Sequence, residues 1–155
     1  MPRISDIAII EVPEQATAVI KTTTRVQDLP QLIGQSYGAI AAYLKKHDVW
    51  MTDIPFAAYH NMDMQNLQVE IGFPVAKVLP AHETIQAGSI PAGKIAFCMY
   101  LGPYQQVEPV YKEMMQWIED NGYAIAGPAY EYYYNGPGFP EEQFLTRIVF
   151  PVQKK

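Results

Sequence analysis

IPAGKIAFCMYLGPY (90–104), VYKEMMQWIEDNGYAIAGPAYEYYYN (110–135) and FLTRIVFPV (144–152) echo, in the same order, VPEQATAVIKTTTRV (12–26), YGAIAAYLKKHDVWMTDIPFAAYHN (37–61) and LQVEIGFPV (67–75). Pro13 answers to Pro91, Tyr37 to Tyr111, Tyr43 to Trp117, Pro55 to Pro128, Tyr59 to Tyr132 and Pro74 to Pro151, at offsets between 73 and 78. One supersecondary unit therefore occurs twice. Each copy reads as strand, strand, helix, strand, strand, and a half of roughly 75 residues buries too little surface to stand alone. The 155 residues are expected to form one domain, 1–155, of two pseudo-symmetric halves at about 1–79 and 80–155. A central groove between the halves is where a site would lie.

In the first half, Ile7–Val12 and Thr17–Arg25 read as strands joined into a hairpin at Pro13-Glu14-Gln15. Asp28 stands where a helix cap is wanted, and Pro30 is tolerated in a first turn. Ile33, Tyr37, Ile40, Ala41 and Leu44 then recur at helical spacing. Phe56–Asn61 and Leu67–Val75 make a second hairpin, whose alternation puts Val69, Ile71 and Phe73 on one face and Glu70 on the other. The second half follows suit, with a strand pair near Glu83–Ile90 and Lys94–Leu101. Its helix carries Val107, Val110, Tyr111, Met114, Trp117 and Ile118 as one stripe and stops at Gly122. Tyr130–Tyr134 and Phe144–Val152 close the chain as a hairpin, with a longer loop at Pro137-Gly138 between them. Helices that recur once per four strands, without strictly alternating strand and helix, mean an α+β fold built on largely antiparallel sheets.

Composition narrows the function classes. Net charge is −5, and the 11 lysines and arginines are scattered apart from Lys45-Lys46 and Lys154-Lys155. Phosphate backbones need a basic face, so no direct nucleic-acid binding is expected. The single Cys98 lies inside the apolar stretch IAFCMYL and reads as a small core residue, so no intrachain disulfide forms. His47, His60 and His82 have no paired spacing, and no metal or other cofactor is expected. Ser5, Ser36 and Ser89 sit in no nucleophile-elbow context, and no glycine-rich phosphate loop is present. The segment PRISDIAIIEV is not a signal peptide and no run is long enough to span a bilayer, which points to a cytoplasmic protein without membrane contact. There is no room ahead of Ile7 for a helix-turn-helix, so a DNA-binding regulator would have to be a separate partner.

The succession YGAIAAYL, PFAAYHN, VEIGFPV, IPAGKIA, YLGPYQQVEPVYKEMMQWI, GPAYEYYYN and TRIVFPV resembles the GyrI-like small-molecule-binding domain, also found as the effector-binding half of AraC- and MerR-type drug-sensing transcription activators. The resemblance covers nearly the whole chain. It implies a tandem SHS2-like repeat whose sheet-and-helix halves enclose an aromatic groove with one or more acidic groups inside. Flat, apolar and often cationic compounds are the ligands implied. In many relatives an acidic residue follows the last strand's threonine, whereas here Arg147 follows Thr146. The resemblance therefore does not carry cation preference over at that position.

Two sets of residues are candidates for the groove. Glu70 and Arg147 are equivalent in the repeat, and as an ion pair they either orient a polar ligand or simply staple the halves together. Glu131 shares strand parity with Tyr133, and a carboxylate desolvated among tyrosines is either a cation receptor or a general acid/base. Glu131 with Tyr133 is thus the candidate catalytic pair as well as a candidate binding pair. Tyr37 and Tyr111 stand at the equivalent point of each helix, Tyr100 and Tyr104 flank the Gly-Pro turn, and Phe56 follows Pro55 at the mouth; all five are candidate ligand contacts.

The leading expectation is a stand-alone binding protein for small, flat, apolar or amphiphilic organic molecules, serving effector sensing or the sequestration of a toxin or drug. A rival is a hydrolase of strained, cyclopropane-type cytotoxic compounds, implied by some family members. A third reading is a protein–protein inhibitor of a DNA topoisomerase, which would make the topoisomerase the partner.

Overall fold

The computed structural model describes residues 3–155. The chain runs β1 (Ala8–Val12), β2 (Gln15–Thr24), α1 (Leu29–Lys46), β3 (Phe56–Tyr59), β4 (Leu67–Pro74), β5 (Gln86–Ile90), β6 (Gly93–Leu101), α2 (Glu108–Asp120), β7 (Tyr123–Ile125), β8 (Ala129–Tyr133) and β9 (Leu145–Lys154). The fold is α+β, and every named strand pairing within each unit is antiparallel. Two compact units account for the chain: a first unit from Glu14 to Pro91, and a second that combines the segment up to Pro13 with Ala92–Lys155.

In the first unit the strands lie in the order β5, β2, β4, β3; in the second the order is β1, β6, β9, β8, with β7 also on β9. The hairpin expected between β1 and β2 does not form. β1 runs beside β6, with Ile9 opposite Ala96, whereas β2 takes β4 and β5, with Ile20 opposite Ile71 and Thr17 opposite Gly88. Nor does β5 pair with β6, as its position suggested. Val12 and Ile90 each precede a proline, which biases them to extended backbone, and the proline itself offers no N–H to a tight hairpin. At both places the chain runs straight on into the other unit. The sequence copies at 1–79 and 80–155 therefore do not coincide with the compact units.

Each unit packs one helix on one sheet face. In the first, Ile40, Tyr43 and Leu44 of α1 cover Ala18, Phe73 and Val75, with Leu79 and Ile85 closing the edge. In the second, Val110, Met114 and Ile118 of α2 cover Ala96, Cys98, Ile148 and Phe150. Full burial of an Ile or Met side chain stabilises by roughly 1.5–3 kcal/mol. The α2 stripe is the one the spacing predicts. On α1 the buried row shifts: Ser36 and Tyr43 are buried and Ala41 is exposed, because the helix seats its larger i, i+3 and i+4 side chains. Asp28 holds the N-cap position without a side-chain cap bond, since its carboxylate is taken by Arg25, Nε to Oδ2 at 3.0 Å. Gly122, at φ +83°, ends α2 as expected.

Strand parity now assigns faces. Ile71 and Phe73 are on the α1 side, so Glu70, and Lys21 opposite it in register, are on the other. Ile148 and Phe150 lie under α2, so Arg147 is on the far face of its sheet. Among the described residues no helix is long and apolar enough to cross a membrane.

Gly72 is the tightest point of the first sheet. A Cβ there would come within 2.3 Å of the Ala18 carbonyl oxygen and 2.6 Å of Val19 Cγ1. The obstacle is backbone, which cannot rotate away. Gly72→Ala should lower unfolding free energy by about 1–3 kcal/mol, read from the urea midpoint; an unchanged midpoint would show that β2 and β4 separate at little cost.

Candidate binding site around Glu131

The turn Gly102-Pro103 sets up the site. Gly102 adopts φ +147°, and a Cβ on it would stand 3.0 Å from the Tyr100 hydroxyl. With that space clear, Tyr100 donates to the Pro103 carbonyl, and the Gly102 N–H reaches the Phe144 carbonyl at 2.9 Å. The chain is thereby turned into a short 3-10 helix, Tyr104–Gln106, ahead of α2. Tyr104 from this turn, Tyr111 from the first turns of α2, and Glu131 and Tyr133 from β8 converge on the helix side of the second unit's sheet.

Among the described residues Glu131 is the only buried carboxylate, with 8% of its surface exposed. Its register partner is Ile148 and that of Tyr133 is Thr146, both on the α2 face. Tyr133 donates to Glu131 Oε1 at 2.9 Å, and Tyr111 donates to Oε2. Burial pushes the carboxyl above its ordinary value of 4.5, and the bonds from Tyr111 and Tyr133 pull the other way without cancelling it. Tyr104 keeps 38% of its surface exposed. Its hydroxyl end is nevertheless buried enough that desolvation, followed by the charge of Glu131, pushes it up to about 12, with the Thr146 hydroxyl acting weakly against. Tyr100 is raised by burial and then by the same charge.

The rings frame the carboxylate. Tyr104 meets Tyr133 edge-on at 5.5 Å between centroids and stacks on Phe144 at 5.2 Å. Tyr111 packs edge-on against Phe150 at 5.7 Å. Phe144 closes the long loop after β8 and was not singled out by sequence reading; its only signal was its place where that loop meets the last strand. Among the described residues no cluster of three potential metal ligands exists, and Cys98, buried and pushed up to about 11 by desolvation, is not poised as a nucleophile.

Of the nine expected contacts, Tyr100, Tyr104, Tyr111, Glu131 and Tyr133 come together here. Of the other four, Arg147 belongs to this unit, and Tyr37, Phe56 and Glu70 belong to the first. Arg147 is on the opposite face of the second sheet, its guanidinium carbon 4.1 Å from the Tyr132 ring centroid, and it donates to the Tyr134 hydroxyl at 3.3 Å. Glu70 is in the first unit, held by His60 at 3.1 Å. Tyr37 packs its ring 5.3 Å from Phe73, and Phe56 is fully buried in β3.

A family model of the GyrI-like small molecule binding domain matches residues 5–153. The chain belongs to that family. No curated protein matches it. Among solved structures it is similar to EcmrR, at 26% identity: the EcmrR C-terminal domain is covered to 99% and covers 98% of this chain, with a TM-score of 0.82. In the EcmrR–DNA complex the likeness covers 97% of this chain and 58% of that one, with a TM-score of 0.83. The chain thus spans little more than half the regulator it resembles. A hydrolase from Listeria innocua shares the fold at 17% identity, with 99% of this chain and 94% of that one covered and a TM-score of 0.74. SAV2435 bound to tetraphenylphosphonium does so at 13% identity, with 96% and 94% covered and a TM-score of 0.62.

Because the folded value of Glu131 lies above the unfolded one, its contribution to stability is intact below pH 4.5 and is lost as pH rises through the folded value. Replacement by glutamine removes the pH-dependent penalty. The melting temperature of Glu131→Gln relative to the native chain should therefore climb between pH 4 and pH 8; a difference that stays flat across that range would show the carboxyl to be solvated.

Proposed function

We propose that this chain binds small, flat, apolar or amphiphilic organic molecules, cation-bearing ones among them, in the tyrosine-framed site of Glu131. The observation that carries this reading is a buried carboxylate whose only side-chain partners among the described hydrogen bonds are two phenols. Such a group lacks a counter-ion, and a ligand cation supplies one. At about 4 Å and an effective dielectric near 20 the attraction is on the order of 4 kcal/mol before desolvation, against about 0.5–2 for a cation over a ring. Charge selection thus belongs to Glu131, and the rings select shape. Family membership supports a small-molecule ligand, and the tetraphenylphosphonium bound to SAV2435 is an apolar cation of tetrahedral rather than flat shape. Effector sensing is the role the likeness to EcmrR supports, and the cytoplasm is the compartment proposed for it.

A second reading keeps one specific observation. Glu131 bonded to Tyr133 at 2.9 Å, with raised proton affinity, is also an acid/base pair able to open a strained electrophile, as in a hydrolase. General acid–base help of this kind gives roughly 10²–10⁴-fold, enough only for activated substrates.

Titration with tetraphenylphosphonium decides between presence and absence of the cation site. One saturable site per chain is expected, with quenching of aromatic emission and at least a tenfold loss in Glu131→Gln, about 1.4 kcal/mol. Affinity should fall as pH drops through the Glu131 value in the native chain and stay level in the variant. Equal affinity of native and variant protein would overturn the reading. For the second reading, a cyclopropane-bearing electrophile is followed by product mass: turnover abolished in Glu131→Gln would establish hydrolysis, and traces identical to buffer would end it.

A further inference from the structure

One strand position beside Glu131 holds a polar group that the two phenol bonds leave unexplained. Thr146, in β9, is in register with Tyr133 on one side and Tyr100 on the other, and it shares the α2 face with Ile148 and Phe150. It is fully buried, and its hydroxyl has no hydrogen-bond partner among the described residues. A valine would fill the same volume in a strand, whereas a buried hydroxyl left unbonded is costly. The nearest phenols are committed elsewhere: Tyr133 donates to Glu131 Oε1, and Tyr100 to the Pro103 carbonyl. Tyr104 differs from both. Its hydroxyl takes part in none of the described hydrogen bonds, although the Thr146 hydroxyl is near enough to act weakly on its proton affinity. Two hydroxyls thus stand close together, without a well-formed bond, at the edge of the carboxylate's cluster. Tyr104 is also the half-exposed member of that cluster. Its ring is set by contacts with Tyr133 and Phe144, so turning it outward breaks no hydrogen bond.

From this geometry we infer that Thr146 and Tyr104 are the hydrogen-bonding end of the Glu131 site, which selects organic cations that also carry a neutral hydroxyl. The selection rests on the cation reading of Glu131 and narrows its ligand class. The cationic ring meets the carboxylate, the Tyr104 ring turns outward to admit the ligand, and the ligand hydroxyl lodges between the two protein hydroxyls. It donates to one and accepts from the other, and a hydroxyl has both the donor and the acceptor this needs. A carboxylate in its place would be repelled by Glu131. An alkyl group of the same size would leave the Thr146 hydroxyl as unbonded as before.

The test is a calorimetric titration of the full chain with 1-methylquinolinium cations that carry a hydroxymethyl group at the 3-, 4- or 6-position, each beside its ethyl analogue of nearly the same shape. At least one hydroxymethyl cation is expected to bind at least tenfold more tightly than its ethyl counterpart, about 1.4 kcal/mol. In Thr146→Val the ratio should fall to one or below. In Thr146→Ser, which keeps the hydroxyl, the preference should persist. Without ligand, Thr146→Val should melt no lower than the native chain, because it removes an unbonded buried group. Ethyl cations that bind while no hydroxymethyl isomer gains would overturn the hydroxyl selection and leave the cation reading of Glu131 standing, whereas no saturable binding by any member would overturn both. A preference that survives in Thr146→Val, or a melting temperature lowered by that change, would equally overturn the selection.

Discussion

A carboxylate cut off from water is the constraint around which the second unit is arranged. Taking such a charge out of solvent costs several kcal/mol, and hydrogen bonds to a charged group return about 1.5–3 each. The two phenols that donate to Glu131 therefore come close to offsetting its burial without exceeding it. That balance explains why proton affinity stays raised although both oxygens are bonded. It also explains why a tyrosine sits on each of two separate elements. Remove either and the remaining donor cannot hold a buried charge; add a cation and the site is over-compensated, which is the direction that favours binding.

The second constraint is the two-residue period of a strand. Glu131 and Tyr133 fall on the α2 face, while Tyr132 and Arg147, in register with each other, fall on the opposite one. The arginine at the position where relatives often carry an acid is thus laid over Tyr132 at 4.1 Å, on the far side of the sheet from the buried carboxylate. A guanidinium on the same face would have neutralised Glu131 and removed any need for a ligand cation. Parity settles this, and it turns a departure from the family pattern into a feature of a different surface.

What the sequence made legible follows from the range of each interaction. Both helices were readable because a 3.6-residue stripe is local, and so were the β3–β4 and β8–β9 hairpins, whose partners are near in sequence. The exchange of β1 and β5 between units was not. Two strands joined by two residues look like a hairpin, and only the prolines at 13 and 91 argued for a chain that runs on. β7, three residues long, carries no pattern of its own. Asp28 was misread because a local salt bridge to Arg25 competes with capping, and propensity does not say which wins. At the site, Glu131, Tyr133, Tyr111, Tyr100 and Tyr104 were all named, yet their meeting on one carboxylate depends on where α2 crosses the sheet.

The geometry also bears on whether a ligand is held or converted. A general base needs a lone pair aimed at a water that in turn faces the electrophile. Each oxygen of Glu131 already accepts from a phenol, so the lone pairs left to a third group are those directed between Tyr111, Tyr133 and the Tyr104 ring. In the proposed binding mode a ligand cation approaches both oxygens at once. Hydrolysis would need a water on one of those same lone pairs, aimed at the electrophile beside it. Binding and turnover thus compete for the same remaining lone pairs, and the binding reading is the one that needs no ordered water.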